Sequence, residues 1–216
     1  MKIIDAVLNL LYPRRCAFCH KLIEDGDLIC RECRRKYTRS DAIDQKMKVT
    51  GTAGCYAPLF YEGDVRSSLL RYKFQGQHAY AAVYGEFLSK CIDENKISCD
   101  IITWVPLSRQ RLRSRGYDQA KLLGEEIAQR TGFAIAPLLK KVRNTQAQSR
   151  TGDAVSRRAN IKDAYTAINA DQMIGKSVLL VDDIVTTGAT LAECAKTLKA
   201  AGAGEILCLA VAKKRD

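Results

Sequence analysis

The alternation of apolar and polar residues near the C-terminus predicts two buried strands with a helix between them. Residues 178–182 and 206–211 are largely continuous apolar runs, and residues 189–201 carry apolar side chains at helical spacing. Gly202 follows as the expected helix end, because glycine readily adopts the left-handed backbone found there. Apolar strands joined by amphipathic helices are typical of a parallel sheet that helices cover on both faces. The pattern therefore predicts an α/β fold.

The central part of the chain continues this alternation. Residues 101–106 form an apolar run closed by a proline, as expected of a buried strand, and a helix is predicted from about Asp118 to Gly132. Upstream, the pattern predicts a strand or strand pair in GCYAPLFYEG and helices in DVRSSLLRYKF and AYAAVYGEFLSKCIDE. Within residues 133–170, FAIAPLL and DAYTAI are candidate strands around a basic, irregular segment. A long segment of this kind is typical of a functional or a disordered loop.

Residues 1–50 differ in pattern from the rest of the chain. A short amphipathic helix that ends near Pro13 is predicted by Ile3, Ile4, Val7, Leu8 and Leu11. This run is too short to cross a bilayer and no small-residue cleavage site follows, so we expect a cytoplasmic protein without a signal peptide. Residues 38–50 are polar and are interpreted as a linker. We therefore expect an N-terminal part over residues 1–50 and a main domain over residues 51–216.

The chain is strongly basic. It has 35 lysines and arginines against 24 aspartates and glutamates, which gives a net charge of +11. A surplus of this size indicates an anionic partner, such as a phosphate compound, nucleic acid or an acidic membrane surface, and does not choose among them. Hydrophobic residues make up 47% of the chain, enough for a packed core.

Four of the nine cysteines form two C-x2-C motifs, Cys16 with Cys19 and Cys30 with Cys33. Two residues between thiolates let a tight turn direct both sulfurs to one ion, and two such turns complete a tetrahedral, structural zinc site. Gly26 is expected to supply the turn between the two motifs. A segment this small cannot bury a core of its own, so zinc would supply much of its folding energy.

The remaining cysteines stand singly in apolar patterns and are interpreted as small core residues: Cys55, Cys91, Cys99, Cys194 and Cys208. His20, beside the first motif, is expected at the surface. Basic residues surround the motifs, and they suit either a solvated face or a contact with an anion. They are Arg14, Arg15, Lys21, Arg31, Arg34, Arg35 and Lys36.

The segment VLLVDDIVTTGATL, residues 178–191, has the composition of a ligand site. Asp182 and Asp183 end the predicted strand, at the edge where open α/β sheets bind ligands. The turn that follows offers backbone N–H groups, hydroxyls and a helix N-terminus to a phosphate. It consists of Thr186, Thr187, Gly188, Ala189 and Thr190. Carboxylates repel a phosphate, so the two acids are expected to accept hydrogen bonds from hydroxyls beside it, such as a ribose diol.

This segment resembles the 5-phosphoribosyl-1-pyrophosphate (PRPP) signature of type I phosphoribosyltransferases. The resemblance implies that Asp182 and Asp183 bind the ribose hydroxyls and that the turn from Thr186 to Thr190 wraps the 5-phosphate. It also implies that the loop from Pro106 to Arg109 binds pyrophosphate, with Mg2+ held mainly through the oxygens of PRPP. The candidate pyrophosphate contacts are Ser108, Arg109, Arg115 and Lys73. The alternation of Arg109, Arg111, Arg113 and Arg115 would place them on one side of an extended segment, and at least half of them are expected to face solvent, as in a solvated basic loop.

Other stretches narrow the resemblance. YKFQG, VPLSRQRLRSRGYDQAKLLG, and RNTQAQSR followed by RRAN resemble the ComF family. Its members join an N-terminal four-cysteine zinc-ribbon or knuckle module to a domain of the type I phosphoribosyltransferase fold, a parallel sheet flanked by helices. The family implies a role in the uptake of transforming DNA, on the cytoplasmic side. Asp118 departs from the family's usual asparagine, which leaves the role of that position open.

Two functions follow from the resemblance. The first is an enzyme that transfers a phosphoribosyl group from PRPP to an acceptor that the sequence does not identify. The second is a non-catalytic module that senses PRPP and holds single-stranded DNA or a partner protein. Tyr72, Phe74 and Tyr117 lie among basic residues and are candidates for base stacking, with core packing as the alternative. Retention of both acids favours ligand binding, whichever function applies.

Overall fold

The computed structural model describes residues 14–23, 27–38, 46–143 and 161–215. The helices of this part are α1 (Arg31–Tyr37), α2 (Gly63–Phe74), α3 (Tyr80–Glu94), α4 (Arg109–Arg115), α5 (Gln119–Thr131) and α6 (Ala189–Ala200). The strands are β1 (Lys46–Met47), β2 (Gly54–Tyr56), β3 (Leu59–Phe60), β4 (Ile101–Trp104), β5 (Ala134–Ile135), β6 (Leu139–Lys141), β7 (Tyr165–Ala167), β8 (Val178–Val185) and β9 (Ile206–Lys213). The predicted N-terminal helix, Gly26 and nearly all of the RNTQAQSR and RRAN stretches lie outside the described residues.

A seven-stranded sheet forms the centre of the main domain. Its order is β1-β2-β9-β8-β4-β5, and β3 also pairs with β9. Every pair is parallel except β1 with β2. Pro58, which cannot donate a backbone hydrogen bond, lies between β2 and β3 where this edge of the sheet is interrupted. The predicted parallel α/β sheet is confirmed, and residues 46 and 47, interpreted as linker, instead form an edge strand of it.

Helices cover both faces of this sheet because successive side chains of β8 point in opposite directions. Leu179 and Val181 pack with residues of α2, α3 and α5 in one core. Val178 and Leu180 pack with α6 and with the separate antiparallel hairpin of β6 and β7 in the other. Both faces are therefore apolar along β8, which explains why its sequence is a continuous apolar run.

Helix ends follow the chemistry of their terminal residues. The Asp118 side chain accepts a hydrogen bond from the Lys121 N–H and caps α5, while Gly132 ends the same helix with a φ of +76°. These ends match the prediction. Helix α6 ends one position early, at Ala200 with Ala201 as its cap, and β8 continues past Asp182 to Val185.

The four-cysteine segment packs directly against the main domain. Phe18 is 1% exposed, and its ring lies 4.5 Å from that of Tyr37 and 5.7 Å from that of Phe87. Arg71 of α2 donates hydrogen bonds to the carbonyl oxygens of Ala17 and Phe18 at 2.9 and 2.8 Å. This segment therefore shares a core with α2 and α3, and the segment and the two helices stabilise each other.

The isolated cysteines lie where a core role predicts. Cys55, Cys91, Cys194 and Cys208 are buried, and Cys99 is partly buried against the core. His20 is exposed, as expected. Several of the basic residues near the cysteine motifs form ion pairs within the chain: Lys21 with Glu32, Arg34 with Glu86, and Lys36 with Asp64. Within the described ranges, the helices are all too short or too polar to cross a membrane.

Candidate functional site

Strands β4 and β8 are neighbours whose connections leave in opposite directions. The chain runs from β4 through α5 to β5 on one side, and from β8 through α6 to β9 on the other. Strand β4 ends beside Val181, whereas β8 continues to Val185. Asp182 and Asp183 therefore lie just past the end of β4, at the point where the strand order reverses. Open parallel sheets bind ligands in the crevice at such a point.

A cleft of about 310 Å³ opens there. Its walls include most of the site residues that the sequence predicts: Lys73, Arg115, Asp182, Asp183, Thr186, Thr187, Gly188, Ala189 and Thr190. Three elements distant in sequence thus meet, namely the end of α2, the region from Pro106 to Ala120, and the turn between β8 and α6. The cleft has the size and the mixed charge of a site for a small phosphorylated ligand.

The two acids are held close together and partly shielded from water. Asp183 is 8% exposed, and its carboxylate lies 2.9 Å from the Lys73 ammonium. The Asp182 carboxylate accepts a hydrogen bond from the Asp183 N–H at 2.8 Å. Burial raises the pKa of Asp182 to about 8, and the neighbouring Asp183 carboxylate contributes to the rise, while Lys73 opposes it. A ligand that offers hydrogen-bond donors to this pair would offset the cost of holding the charge there.

The turn between β8 and α6 has the backbone that a phosphate cradle requires. Gly188 has a φ of +71° and precedes the first residue of α6. A Cβ at this position would lie 3.0 Å from the Val49 Cγ2 atom, so only glycine fits without strain. The Ala189 N–H is directed to the Thr187 hydroxyl at 3.4 Å. The N-terminus of α6, where the helix dipole is positive, therefore faces the same cleft as the acids.

Two of the predicted pyrophosphate residues lie outside the walls of this cleft. Ser108 caps α4 by accepting a hydrogen bond from the Arg111 N–H at 3.4 Å. Arg109 is exposed, and both residues line an adjoining cleft with Lys140, Lys141 and Arg143. The prediction that these arginines lie along one side of an extended segment is wrong, because residues 109–115 form helix α4. On a helix, Arg111 and Arg115 share the face that meets the main cleft, and Arg109 and Arg113 are exposed.

Asp118 connects two parts of the site. Its carboxylate caps α5 and also accepts a hydrogen bond from the Leu107 N–H at 2.9 Å, which fastens the loop after β4 to the start of α5. Both contacts need only side-chain oxygens as acceptors. An asparagine has one acceptor oxygen and an aspartate has two, so the aspartate can serve each N–H with a separate oxygen. Burial raises the pKa of Asp118, and these N–H groups oppose the rise.

The cleft also contains residues that the sequence did not single out. Lys141 of β6 lies 5.1 Å from the centre of the Tyr165 ring, and both line the cleft with Arg111 and Gln119. Burial lowers the pKa of Lys141, and the nearby positive charge of Arg111 lowers it further. Lys141 and Tyr165 reach the cleft because β6 pairs with β7, and no local sequence motif predicts that pairing.

The three aromatic candidates for stacking separate into two kinds. Tyr72 and Tyr117 are buried core residues with 0% and 7% exposure, so the core interpretation holds for them. Phe74 is 64% exposed, and the Arg115 guanidinium lies 4.9 Å from the centre of its ring. Of the three, Phe74 alone offers an open ring face beside the cleft.

The four cysteine sulfurs form a compact cluster in which all ligand atoms lie within 4.8 Å of one another. The Cys30 N–H donates to the Cys16 sulfur at 3.4 Å, and the Cys33 N–H donates to the Cys30 sulfur at 3.5 Å. Burial acts against ionisation of Cys16, but hydrogen bonds from the backbone N–H groups of Cys30, Cys19 and Phe18 lower its pKa to about 7. Four gathered sulfurs supported by backbone N–H groups fit a structural zinc ion and leave no coordination position open to substrate.

Comparison with known proteins assigns both regions. A family model described as a double zinc ribbon domain matches residues 7–43, and one described as a phosphoribosyl transferase domain matches residues 123–216. Competence protein F of Haemophilus influenzae is 33% identical over 143 residues, which cover 63% of this chain and 62% of that protein. Competence protein ComFC of Streptococcus pneumoniae is 28% identical over 214 residues, which cover 95% and 93%. Among solved structures, adenine phosphoribosyltransferase from Thermoanaerobacter pseudethanolicus is 19% identical with a TM-score of 0.42, over 65% of this chain and 83% of that one.

The fold, the cysteine cluster and the two family models together define the class of protein. It is a phosphoribosyltransferase domain with an N-terminal four-cysteine zinc module. One of the competence proteins matches along nearly the whole chain, and both parts of the family's architecture are present. The chain belongs to the ComF family. It spans 62% of the length of the Haemophilus influenzae relative, so the activity of that whole protein is only a proposal for this chain.

Proposed function

We propose that this protein binds PRPP together with Mg2+ in the cleft between β4 and β8, in the cytoplasm, and acts in the uptake or handling of DNA. The observation that carries the proposal is the meeting of Asp182 and Asp183 with the Gly188 turn and with Lys73 and Arg115 around one cleft. The names of the two competence proteins support the biological setting.

Each wall of the cleft suits a different part of PRPP. The carboxylates of Asp182 and Asp183 accept hydrogen bonds from the ribose hydroxyls, and the turn from Thr186 to Thr190 surrounds the 5-phosphate with backbone N–H groups. Arg115 and Lys73 lower the electrostatic cost of placing pyrophosphate beside the acids. Bound Mg2+ would neutralise further pyrophosphate charge, held mainly by ligand oxygens.

Transfer of the phosphoribosyl group is the reaction that this arrangement favours. Breaking the bond between the ribose C1 and the pyrophosphate oxygen leaves positive charge on the ribose and negative charge on the leaving group. Asp182 and Asp183 lie on the ribose side, and Arg115 lies where it can stabilise the departing pyrophosphate. The acceptor is unidentified, and sensing of PRPP without turnover is the alternative use of the same site.

The binding proposal is tested by calorimetric titration of PRPP and Mg2+ into the wild type and into an Asp182→Asn/Asp183→Asn variant. We expect binding to the wild type and a loss of affinity of at least about 100-fold in the variant, since several charge-assisted hydrogen bonds are weakened together. Equal affinities would remove the acids from the site. No binding to zinc-loaded wild type would overturn the proposal.

A second candidate function is the binding of single-stranded DNA, and the adjoining cleft favours it. That cleft is lined by Ser108, Arg109, Gln110, Lys140, Lys141, Val142 and Arg143, and it shares Lys141 with the main cleft. Clustered cations along a groove are the usual means of following a nucleic-acid backbone, and exposed Phe74 adds a ring for stacking.

Fluorescence anisotropy with a labelled single-stranded oligonucleotide tests this second function. An Arg109→Glu/Lys140→Glu variant should bind at least about tenfold more weakly at moderate salt. Removal of each cation that neutralises a phosphate should reduce the slope of log affinity against log salt by about 0.7. The matched control is Arg66→Glu/Lys176→Glu, which changes the same charge on exposed residues outside both clefts. Equal effects in the two variants would mean that net charge, and not this cleft, governs binding.

A further inference from the structure

Lys141 is a cation on the wall of the main cleft that the proposed contacts with PRPP leave unused. It lies in β6, where Leu139 and Lys141 point to the same face because side chains alternate along a strand. Leu139 is 4% exposed and packs in the core that contains residues of α6, whereas Lys140, on the opposite face, is exposed. The Lys141 side chain is therefore directed inward and is only partly exposed.

An aromatic ring positions the Lys141 ammonium without neutralising it. Lys141 and Tyr165 are directly opposite each other in the pairing of β6 with β7, and the ammonium lies 5.1 Å from the centre of the Tyr165 ring. Tyr165 is 7% exposed and belongs to the same core as Leu139, so packing fixes this contact. An aromatic ring attracts a cation weakly and carries no net charge that could balance the ammonium.

Lys141 lacks an anionic partner within the described part of the chain. Its nitrogen makes no hydrogen bond and no ion pair there, whereas Lys73 of the same cleft pairs with Asp183. The Lys141 nitrogen is not one of the buried polar atoms that lack a partner, so it keeps accessible surface. A partly buried cation without a counter-charge is costly, and an anionic group of a ligand would reduce that cost.

The charges around Lys141 place it beside the start of α6. Burial and the neighbouring Arg111 guanidinium lower the pKa of Lys141, while Cys194 and Asp182 oppose the shift. Cys194 is a buried residue of α6 and packs in one core with Leu191 of the first turn, which lines the main cleft. Lys141 therefore lies on the side of the cleft where α6 begins, near the turn that precedes this helix.

The turn before α6 offers a phosphate only neutral donors of its own. Residues 186–190 supply backbone N–H groups, hydroxyls and the positive end of the helix dipole, and they include no lysine or arginine. The nearby Asp182 carboxylate, when ionised, repels a phosphate. An ammonium group on this side of the cleft would balance that repulsion and supply up to three N–H donors.

We propose that Lys141 is a specificity-determining residue whose ammonium group binds the 5-phosphate of a phosphoribosyl ligand. The inference rests on the proposed function, in which the ribose meets the acids and the 5-phosphate lies in the Gly188 turn. Pyrophosphate is assigned there to Arg115 and Lys73. The 5-phosphate is thus the anionic group that remains for Lys141.

The test compares PRPP with ribose 5-phosphate, which has the 5-phosphate and lacks pyrophosphate. The affinity for PRPP with Mg2+ is measured by calorimetry, and the affinity for ribose 5-phosphate by its displacement of PRPP. In Lys141→Met we expect both affinities to fall by a similar factor of at least about ten, since hydrogen bonds to charged groups have this magnitude. The melting temperature of the ligand-free variant should be unchanged or higher, because a cation without a counter-charge has been removed.

The matched control is Lys162→Met, which removes the same charge from an exposed residue before β7 and outside the walls of both clefts. It should change neither affinity by more than about twofold. Lys141→Gln, which keeps a polar but neutral side chain, should show the same losses as Lys141→Met and decides the matter if Lys141→Met does not fold.

The outcomes separate this inference from the function on which it rests. No binding of PRPP to the wild type would overturn both. Failure of ribose 5-phosphate to displace PRPP from the wild type would overturn the inference alone, as would unchanged affinities in the Lys141 variants. A loss for PRPP without a loss for ribose 5-phosphate would assign Lys141 to pyrophosphate and contradict the proposal. Losses that accompany a lower melting temperature, or that occur equally in Lys162→Met, would also contradict it, because they would indicate a structural or a general electrostatic effect.

Discussion

The four cysteines and the two aspartates both bring together groups whose negative charges repel, but their surroundings differ. The four sulfurs lie within 4.8 Å of one another, receive hydrogen bonds from their own backbone, and adjoin a shared apolar core. Asp182 and Asp183 lie on an open cleft. Among the described ion pairs, these two acids have a single cationic partner, Lys73, which pairs with Asp183. A closed set of ligands is suited to a permanent ion, and an open set to a ligand that comes and goes. In the first region a permanent ion that relieves this repulsion would stabilise the fold. In the second region a ligand that relieves it would gain affinity.

Helix α2 joins the two regions. Arg71 holds the carbonyl oxygens of Ala17 and Phe18, and Lys73, near the end of the same helix, holds Asp183. The zinc module therefore supports the helix that supplies a cation to the cleft. Changes in the module should weaken the cleft, whereas changes in the cleft should leave the module intact.

The largest effect is expected from loss of the metal. Cys33→Ser should abolish zinc content and lower the melting temperature by at least about 10 °C, because binding of structural zinc contributes on the order of 10 kcal/mol to folding. The lone, partly buried Cys99 supplies the control substitution Cys99→Ser, which should retain zinc. Zinc content by mass spectrometry and melting curves check both. A metal-free protein with an unchanged melting temperature would show that the cluster is not a structural site.

A smaller effect is expected from breaking the connection through α2. Arg71→Met should cost about 2 kcal/mol of unfolding free energy, since hydrogen bonds from a charged group are worth about 1.5–3 kcal/mol. Zinc should be retained, and PRPP affinity should fall because the Lys73 end of the helix is less firmly held. Denaturant unfolding and calorimetry measure these quantities. Arg66→Met, an exposed position on the same helix, should change stability by less than about 0.5 kcal/mol. Equal effects at both positions would contradict the connection.

A comparable loss of stability with a different consequence is expected from two glycines. Gly188→Ala forces a φ of +71° on alanine and brings its Cβ to 3.0 Å from Val49, so we expect a cost of about 1–2 kcal/mol and at least about tenfold weaker PRPP binding. Gly204→Ala would place its Cβ 2.7 Å from the Gly175 carbonyl oxygen, away from the cleft walls. It should destabilise the fold and leave the affinity unchanged. Affinity that follows stability alone in both variants would remove the turn from the binding site.

The last comparison concerns pH. The pKa of Asp182 is about 8 in the folded chain, against an ordinary value of 3.8, so the folded state binds this proton more tightly than the unfolded state. Stability contributed by the protonated carboxyl is then lost as pH rises towards 8. Asp182→Asn should therefore gain melting temperature relative to the wild type between pH 5 and pH 8, by at least about 2–4 °C. Asp171→Asn removes an exposed carboxyl and should show no such gain. A constant difference between Asp182→Asn and wild type across this range would contradict the raised pKa.

Local signals predicted much of this molecule. Cysteine spacing predicted the cluster, the Asp118 cap and Gly132 predicted the bounds of α5, and the acid-rich end of an apolar run predicted which strand carries the cleft. The helical course of α4 was also within reach. Ser108 at its start and Gly116, with a φ of +80°, at its end are ordinary cap residues, whereas the alternation of arginines between them is typical of an extended segment.

Other parts of the cleft depend on contacts between distant residues. Lys73 and Asp183 meet because α2 packs beside the end of β8, and Lys141 reaches the cleft through the pairing of β6 with β7. Gln119 stands next to a helix cap, where the sequence gives no sign that it is buried or that Arg115 fixes its amide. Burial and nonlocal pairing are properties of the folded chain, so no local pattern could supply them.

The central claim is that the cleft between β4 and β8 holds PRPP with its ribose on the acids and its 5-phosphate in the Gly188 turn. A crystal structure of the zinc-loaded protein with PRPP and Mg2+ tests it most directly. The account predicts the ribose hydroxyls within hydrogen-bond distance of Asp182 and Asp183, the 5-phosphate against residues 186–190, and pyrophosphate beside Arg115 and Lys73. A ligand bound in the reverse orientation, or bound elsewhere with this cleft empty, would contradict it.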